Sequence, residues 1–280
     1  MDTIMKILNS YRIELRSEAK RTLEKLHNVY GRILIIHYSC ESFYGKAGYT
    51  PRITGIAILN RENNESIIFS IHLSAQILHK NLEDIKDKDF DEIEKHMLDE
   101  FNKFVINHSN YIWIHWRMRS ASYGFQAISN RYRILGGQEI SINDINKVDL
   151  PEVFGKLFTY GYETNEPNGQ LLNLAKRNNI STRDALTGAE EAAAFDNRDY
   201  LKLHMSTLRK IEIIDRLLAT YQYGKLKHNA RLSNIYDLSI PGIITLIKES
   251  PLLLAIVSII AFVLGVILEP IIKNIFGINP

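Results

Sequence analysis

The run LLLAIVSIIAFVLGVIL, residues 252–268, holds no charged side chain, and no other stretch constrains the chain as strongly. A helix crosses the hydrocarbon core of a bilayer with about twenty apolar residues. Ile271, Ile272, Ile275 and Phe276 carry the apolar surface past Glu269. A helix that is apolar on every side belongs in a protein core or in lipid, and a position at the carboxyl end of this sequence favours lipid. Residues 251–278 are therefore expected to form a transmembrane helix. Lys248, Lys225, Lys227 and Arg231 lie before the uncharged run and Lys273 after it, a bias that puts the amino-terminal side in the cytoplasm. MDTIMKILNSYRIELRSEAK has neither the apolar core nor the small-residue cleavage site of a secretory signal. The expectation is a single-pass membrane protein, anchored by its tail, with a cytoplasmic soluble region.

That region has the composition of a folded protein. Over the 280 residues, 45% are hydrophobic and 24% charged, and the net charge is only +2, so an anionic partner would have to be drawn by a local cluster of cations. The single cysteine, Cys40, excludes an internal disulfide and fits a reducing compartment; it reads more readily as a small buried hydrophobe than as a nucleophile.

Apolar positions Ile4, Leu8, Tyr11, Leu15, Ala19, Leu23 and Leu26 recur at helical spacing, predicting one long helix within 1–30 that ends near Gly31. Residues 32–39 read as a buried strand, and ITGIAILN and SIIFSIHL around RENNE as a hairpin. A helix is expected over 91–107, a strand at YIWIHW, 111–116, and a helix at FQAISNRYRIL. From 150 onward helices are expected at 150–160, 169–178, 188–195 and 199–222, with Thr187 and Glu190 as a capping box for the third. Residues 31–224 thus form an α/β domain, a mixed sheet flanked by helices. Residues 225–250 read as a connector broken at Pro241 and Gly242, with the apolar stretch IITLI placed on the membrane surface.

The first strand ends in IIHYSCESF, the later strand in IWIHWRM, and the last long helix carries LHMSTLRK. This order and these segments resemble the ribonuclease H-like 3′–5′ exonucleases, whose sites hold two Mg²⁺ ions on three aspartates and a glutamate. The resemblance spans about residues 31–222. It implies that Ser39 and Glu41 occupy the first acidic motif, that His115 precedes the second with Met118 or Arg119 at its aspartate, and that His204 precedes the third with Arg209 at its aspartate. Only Glu41 of that set is acidic. Oxygen ligands are what divalent ions require, and an arginine in their place repels a cation, so the domain reads as a degenerate exonuclease without a metal. Asp144, Asp149 and Asp184 are the alternatives for the third aspartate.

The cluster expected at the carboxyl-terminal edge of the sheet comprises His37, Ser39, Glu41, His115, Arg117, Arg119, His204 and Arg209, with Arg131 and Arg133 extending its basic character. Guanidinium groups bind phosphate bidentately, which makes a nucleotide or a nucleic-acid end the expected ligand. The bland alternative has Arg119 and Arg209 neutralising Glu41. A zinc site on His37, His115 and His204 lacks the local ligand spacing of such centres, and Trp113 and Trp116 read as core. In the apolar helix Ala261, Gly265 and Glu269, with Lys273, share one face and suggest association of membrane helices into a homo-oligomer.

The function expected from this sequence is a non-enzymatic ligand sensor that couples binding to membrane-helix assembly, an arrangement like that of membrane effectors in bacterial antiviral defence. Two rivals stand beside it: an active, Mg²⁺-dependent membrane-bound exonuclease, and an adaptor for a protein partner. No catalytic residue is assigned.

Overall fold

A computed structural model describes residues 10–42, 50–83, 85–138 and 141–275. Ser10 caps the first described helix, α1 (Tyr11–Asn28), its hydroxyl accepting from the Ile13 N–H; the expected helical positions Ile4 and Leu8 lie outside the described residues. β1 (Ile33–Cys40) is buried along almost its whole length, as its unbroken aliphatic run requires of a central strand. β2 (Ile53–Asn60) and β3 (Glu65–Ser70) complete the expected hairpin. SIIFSIHL, however, leaves the sheet at Ser70, whose hydroxyl caps α2 (Ile71–Ile77). α3 (Asp87–Asn107), β4 (Ile112–His115) and α4 (Phe125–Ile134) follow.

A fifth strand, β5 (Lys147–Asp149), lies where sequence reasoning places none. It is too short for alternation to be read, and its pairing with β4 alone defines it. Helices α5 (Leu150–Phe158), α6 (Gln170–Arg177), α7 (Gly188–Asp196) and α8 (Tyr200–Gln222) then match the expected succession, including the Thr187–Glu190 capping box.

The sheet runs β3-β2-β1-β4-β5. β2 is antiparallel to β1 and β3, while β4 is parallel to β1 and β5. This is a mixed five-stranded α/β sheet flanked by helices, consistent with the ribonuclease H-like fold that the sequence resemblance implies. One face packs Ile33 and Ile35 against Leu23, Phe154, Leu174 and Ile214; the other packs Leu34, Ile36 and Tyr38 against Phe90, Met97, Phe101 and Ile128. Because side chains alternate along a strand, His37 and Ser39 continue the Ile33–Ile35 side.

The segment expected as a connector contains two helices, α9 (Leu232–Tyr236) and α10 (Ile240–Glu249), and both dock on α1. Arg16 and Lys20 of α1 each reach a carboxylate oxygen of Glu249 at 2.5 Å, Tyr236 donates to the same carboxylate at 2.8 Å, and Ser10 donates to Asp237 at 2.5 Å. After Ser250 comes α11 (Pro251–Ile275). Its portion Pro251–Pro270 is long and apolar enough to cross a membrane, and none of it is buried.

Candidate functional site

β1 and β4 run parallel, and at their shared carboxyl-terminal edge opens a cavity of about 570 Å³, a ligand-sized volume in the usual position for an α/β sheet. Its floor and walls include His37, Ser39, Cys40, Glu41, Trp116, Tyr123, Glu191 and Lys210, and Arg117, Asn165, Asn168 and Gln170 stand around it.

Each strand delivers its side chains differently. β1 passes His37 and Ser39 into the cavity, and the register shift at Ser39 and Cys40 ends its regular pairing. Ser39 Oγ lies 2.8 Å from Thr54 Oγ1 on β2. β4 ends abruptly because Arg117 adopts φ +55°, a left-handed conformation uncommon for a residue with a side chain. The Arg117 N–H donates to Asp149 at 2.9 Å, and its guanidinium donates to Gln170 Oε1 at 2.6 Å. Gln170 is itself buried and donates to the Glu163 carbonyl, which fixes the exposed arginine beside the opening.

The opposite wall comes from α7 and α8. Lys210, 7% exposed, donates to Glu191 at 2.6 Å, and Ser206 donates to the same oxygen at 2.8 Å while accepting from the Leu186 N–H. Burial, and then the Lys210 charge, hold His37 well below its ordinary pKa, so the imidazole is neutral. Tyr123 donates its hydroxyl proton to the Tyr38 carbonyl at 3.1 Å, leaving its oxygen to face His37 Nε2 at 3.5 Å. Among the described residues His37 Nδ1 is buried without a hydrogen-bond partner, a group whose cost a ligand donor would relieve. Tyr38 and Tyr123 stack at 4.6 Å between centroids. Burial, reinforced by Glu191 and Glu41, pushes the Cys40 thiol up to about 12; a protonated thiol of this kind is a poor nucleophile.

Of the sequence-predicted cluster, His37, Ser39, Glu41 and Arg117 line this cavity. The others do not, and each departure has a local cause. Arg209 pairs with Glu212 one helical turn along, because the inward face of α8 is Leu203, Ser206, Thr207, Lys210 and Ile211; the α8 cation that lines the cavity is Lys210. His204 leaves that face too and meets Ser70 Oγ through Nδ1 at 3.2 Å. Arg119 engages Asp149 and Glu152. His115 is buried in a neighbouring depression, where its Nδ1 accepts from the Met118 N–H at 3.2 Å, and burial followed by the Arg119 charge lowers its pKa to about 3. Arg131 does not extend the cavity's basic character: it is buried against Glu94, with Asp91 beside it, under the other face of the sheet. Arg133 donates to Asn130 on the same helix.

Sequence reasoning missed Lys210, Glu191 and Tyr123. For Lys210 a signal existed, since its spacing from Leu203, Ser206, Thr207 and Ile214 places it on the inward face.

The donor set does not fit two divalent ions. Glu191 is committed to an ammonium and a hydroxyl, Glu41 is the other carboxylate lining the cavity among the described residues, and the Lys210 charge opposes a cation. Asp149 faces Arg119, Asp144 bonds Lys147, and Asp184 lies beside Arg183. Among the described residues no group of three or more His, Cys, Asp and Glu side chains is placed to hold a metal.

No protein-family profile matches the chain, and no curated protein matches it in sequence. Among solved structures it is similar to the EXO domain of Nibbler from Aedes aegypti, at 12% identity over 73% of this chain and 91% of that one, with a TM-score of 0.31. So loose an overlap carries no argument about what this chain does.

Proposed function

We propose that this is a membrane-anchored, ribonuclease H-like domain that binds a nucleotide or a nucleic-acid end in the cavity between β1, β4 and α8, without a metal and without turnover. One observation carries the reading: a buried ammonium, Lys210, and a buried imidazole nitrogen, His37 Nδ1, without a hydrogen-bond partner among the described residues, line one ligand-sized cavity. Lys210 and Arg117 supply charge for a phosphate, His37 Nδ1 takes a donor from a sugar or base, and the Tyr123 and Trp116 rings offer apolar surface to a base. Binding is relayed to α11, whose Ala261 and Gly265 bring membrane helices together in a homo-oligomer, as would suit an effector of antiviral defence.

The test uses the whole chain in detergent micelles. Mono- and dinucleotides and short single-stranded DNA and RNA are titrated while tryptophan fluorescence and calorimetric heat are followed. Saturable binding that weakens with salt and with Arg117→Ala supports the proposal. Mg²⁺-dependent degradation of the oligonucleotides, abolished by Glu41→Gln, establishes the exonuclease instead. Neither signal, with a protein recovered stoichiometrically from membranes, favours the adaptor.

A further inference from the structure

Helix α10 has two faces with different fates. Gly242 is buried, Leu246 packs against the core, and Glu249 is held by Arg16 and Lys20. On the other side Ile240, Ile243 and Ile244 are exposed, at 46%, 47% and 45%, and Ile247 is half-buried. Positions 240, 243, 244 and 247 form one helical stripe. Exposed Leu238, at 86%, lies just before it. Exposed isoleucines are ordinary when scattered, whereas a contiguous stripe marks a covered surface.

What covers it follows from what comes next in the chain. Ser250, in extended conformation, is the only residue between this helix and Pro251, where the unburied apolar span begins. The break at Ser250 frees α10 from the axis of α11, and continuity keeps its stripe at the same boundary. Exposed Lys248 lies four residues after Ile244, hence on the same side, where its stem can lie along acyl chains with the ammonium among phosphates. We infer that α10 lies in the membrane interface, with Ile240, Ile243, Ile244 and Ile247 among the upper acyl chains. The Glu249 cluster then holds α1, and with it the domain, directly against the bilayer. This rests on the proposed membrane span and not on what the cavity binds.

The test places an environment-sensitive nitrobenzoxadiazole label at single cysteines in the full chain with Cys40→Ala, reconstituted in phosphatidylcholine vesicles. The labelled variants are Ile244→Cys on α10, Val263→Cys within the span, and Ile77→Cys as an exposed control. The inference expects blue-shifted emission at 244, quenched about twofold or more by lipids brominated near the headgroup end of the chain. Lipids brominated deep in the chain should quench the label at 263 more strongly, and the control should stay water-like. Water-like emission at 244 with quenching at 263 overturns the inference and leaves the span intact. A label at 244 that is shielded yet insensitive to brominated lipid overturns it in favour of a protein partner. An unquenched label at 263 removes the span and the inference together.

Discussion

Lys210 Nζ lies 2.6 Å from Glu191 Oε1, and this pair of adjoining helices α7 and α8 forms the charged wall of the cavity. Side-chain exposures of 9% and 15% mean that neither charge is well hydrated, so removing one strands the other. Glu191→Gln should destabilise the protein by about 3 kcal/mol, measured by urea unfolding in detergent. Replacing both, as Lys210→Met with Glu191→Leu, should recover most of that loss while abolishing ligand binding.

One strand and one helix show how far the sequence led. On β1 alternation alone sends His37 and Ser39 to one side, and the structure places both in the cavity. On α8 a register taken from a family motif selected Arg209, whereas the 3.6-residue period of the helix selects Lys210; an error of one position turns a side chain by about 100°. Glu191 was not legible because its role depends on how α7 meets α8, which no local pattern encodes. β5 escaped for a similar reason, since three residues acquire strand geometry only from their neighbour. The docking of α10 on α1 joins Glu249 to Arg16 across most of the chain, a distance at which charge patterning gives no signal.

The buried imidazoles predict how stability depends on pH. His37 and His115 are both neutral when folded, with pKa values lowered first by burial, well below normal for His37 and to about 3 for His115. Unfolded, each binds a proton near pH 6.5. Stability should therefore fall as pH drops below about 6.5, by about 1.4 kcal/mol per pH unit for each histidine. His37→Gln should remove about one proton from that slope, read from urea unfolding midpoints between pH 7 and pH 5.

Glu94 is fully buried and receives Arg131 through several hydrogen bonds, as well as the Ile53 N–H at 2.7 Å. Arg131→Met leaves that carboxylate without its cation and should cost about 3–5 kcal/mol. Ligand affinity of the folded fraction should not change, because this network lies under the other face of the sheet. A loss of affinity with unchanged stability would return Arg131 to the binding surface.

Burial alone would raise the Glu249 carboxyl, but hydrogen bonds from Arg16, Lys20 and Tyr236 outweigh it and bring it to about 2. A depressed pKa stabilises above the unfolded value near 4.5 and is lost as pH falls from there toward about 2. In hydrogen exchange, α10 amides should lose protection over that range, and Glu249→Gln should weaken their protection already at pH 7.

With its thiol pushed up to about 12, Cys40 should react with iodoacetamide at pH 8 about a thousandfold more slowly than a free cysteine. Unfolding in urea should restore the normal rate. Rapid alkylation of the native protein would mean that a thiolate is present in the cavity.

The most direct test of the account is nucleotide binding to the whole chain in detergent with Mg²⁺ present and then with excess EDTA. Equal affinity in both conditions, weakened in Arg117→Ala and lost in the Lys210→Met, Glu191→Leu double variant while the fold persists, is the predicted result. Binding that vanishes with EDTA, or survives both replacements, would contradict a cavity that holds its ligand on Lys210 and Arg117.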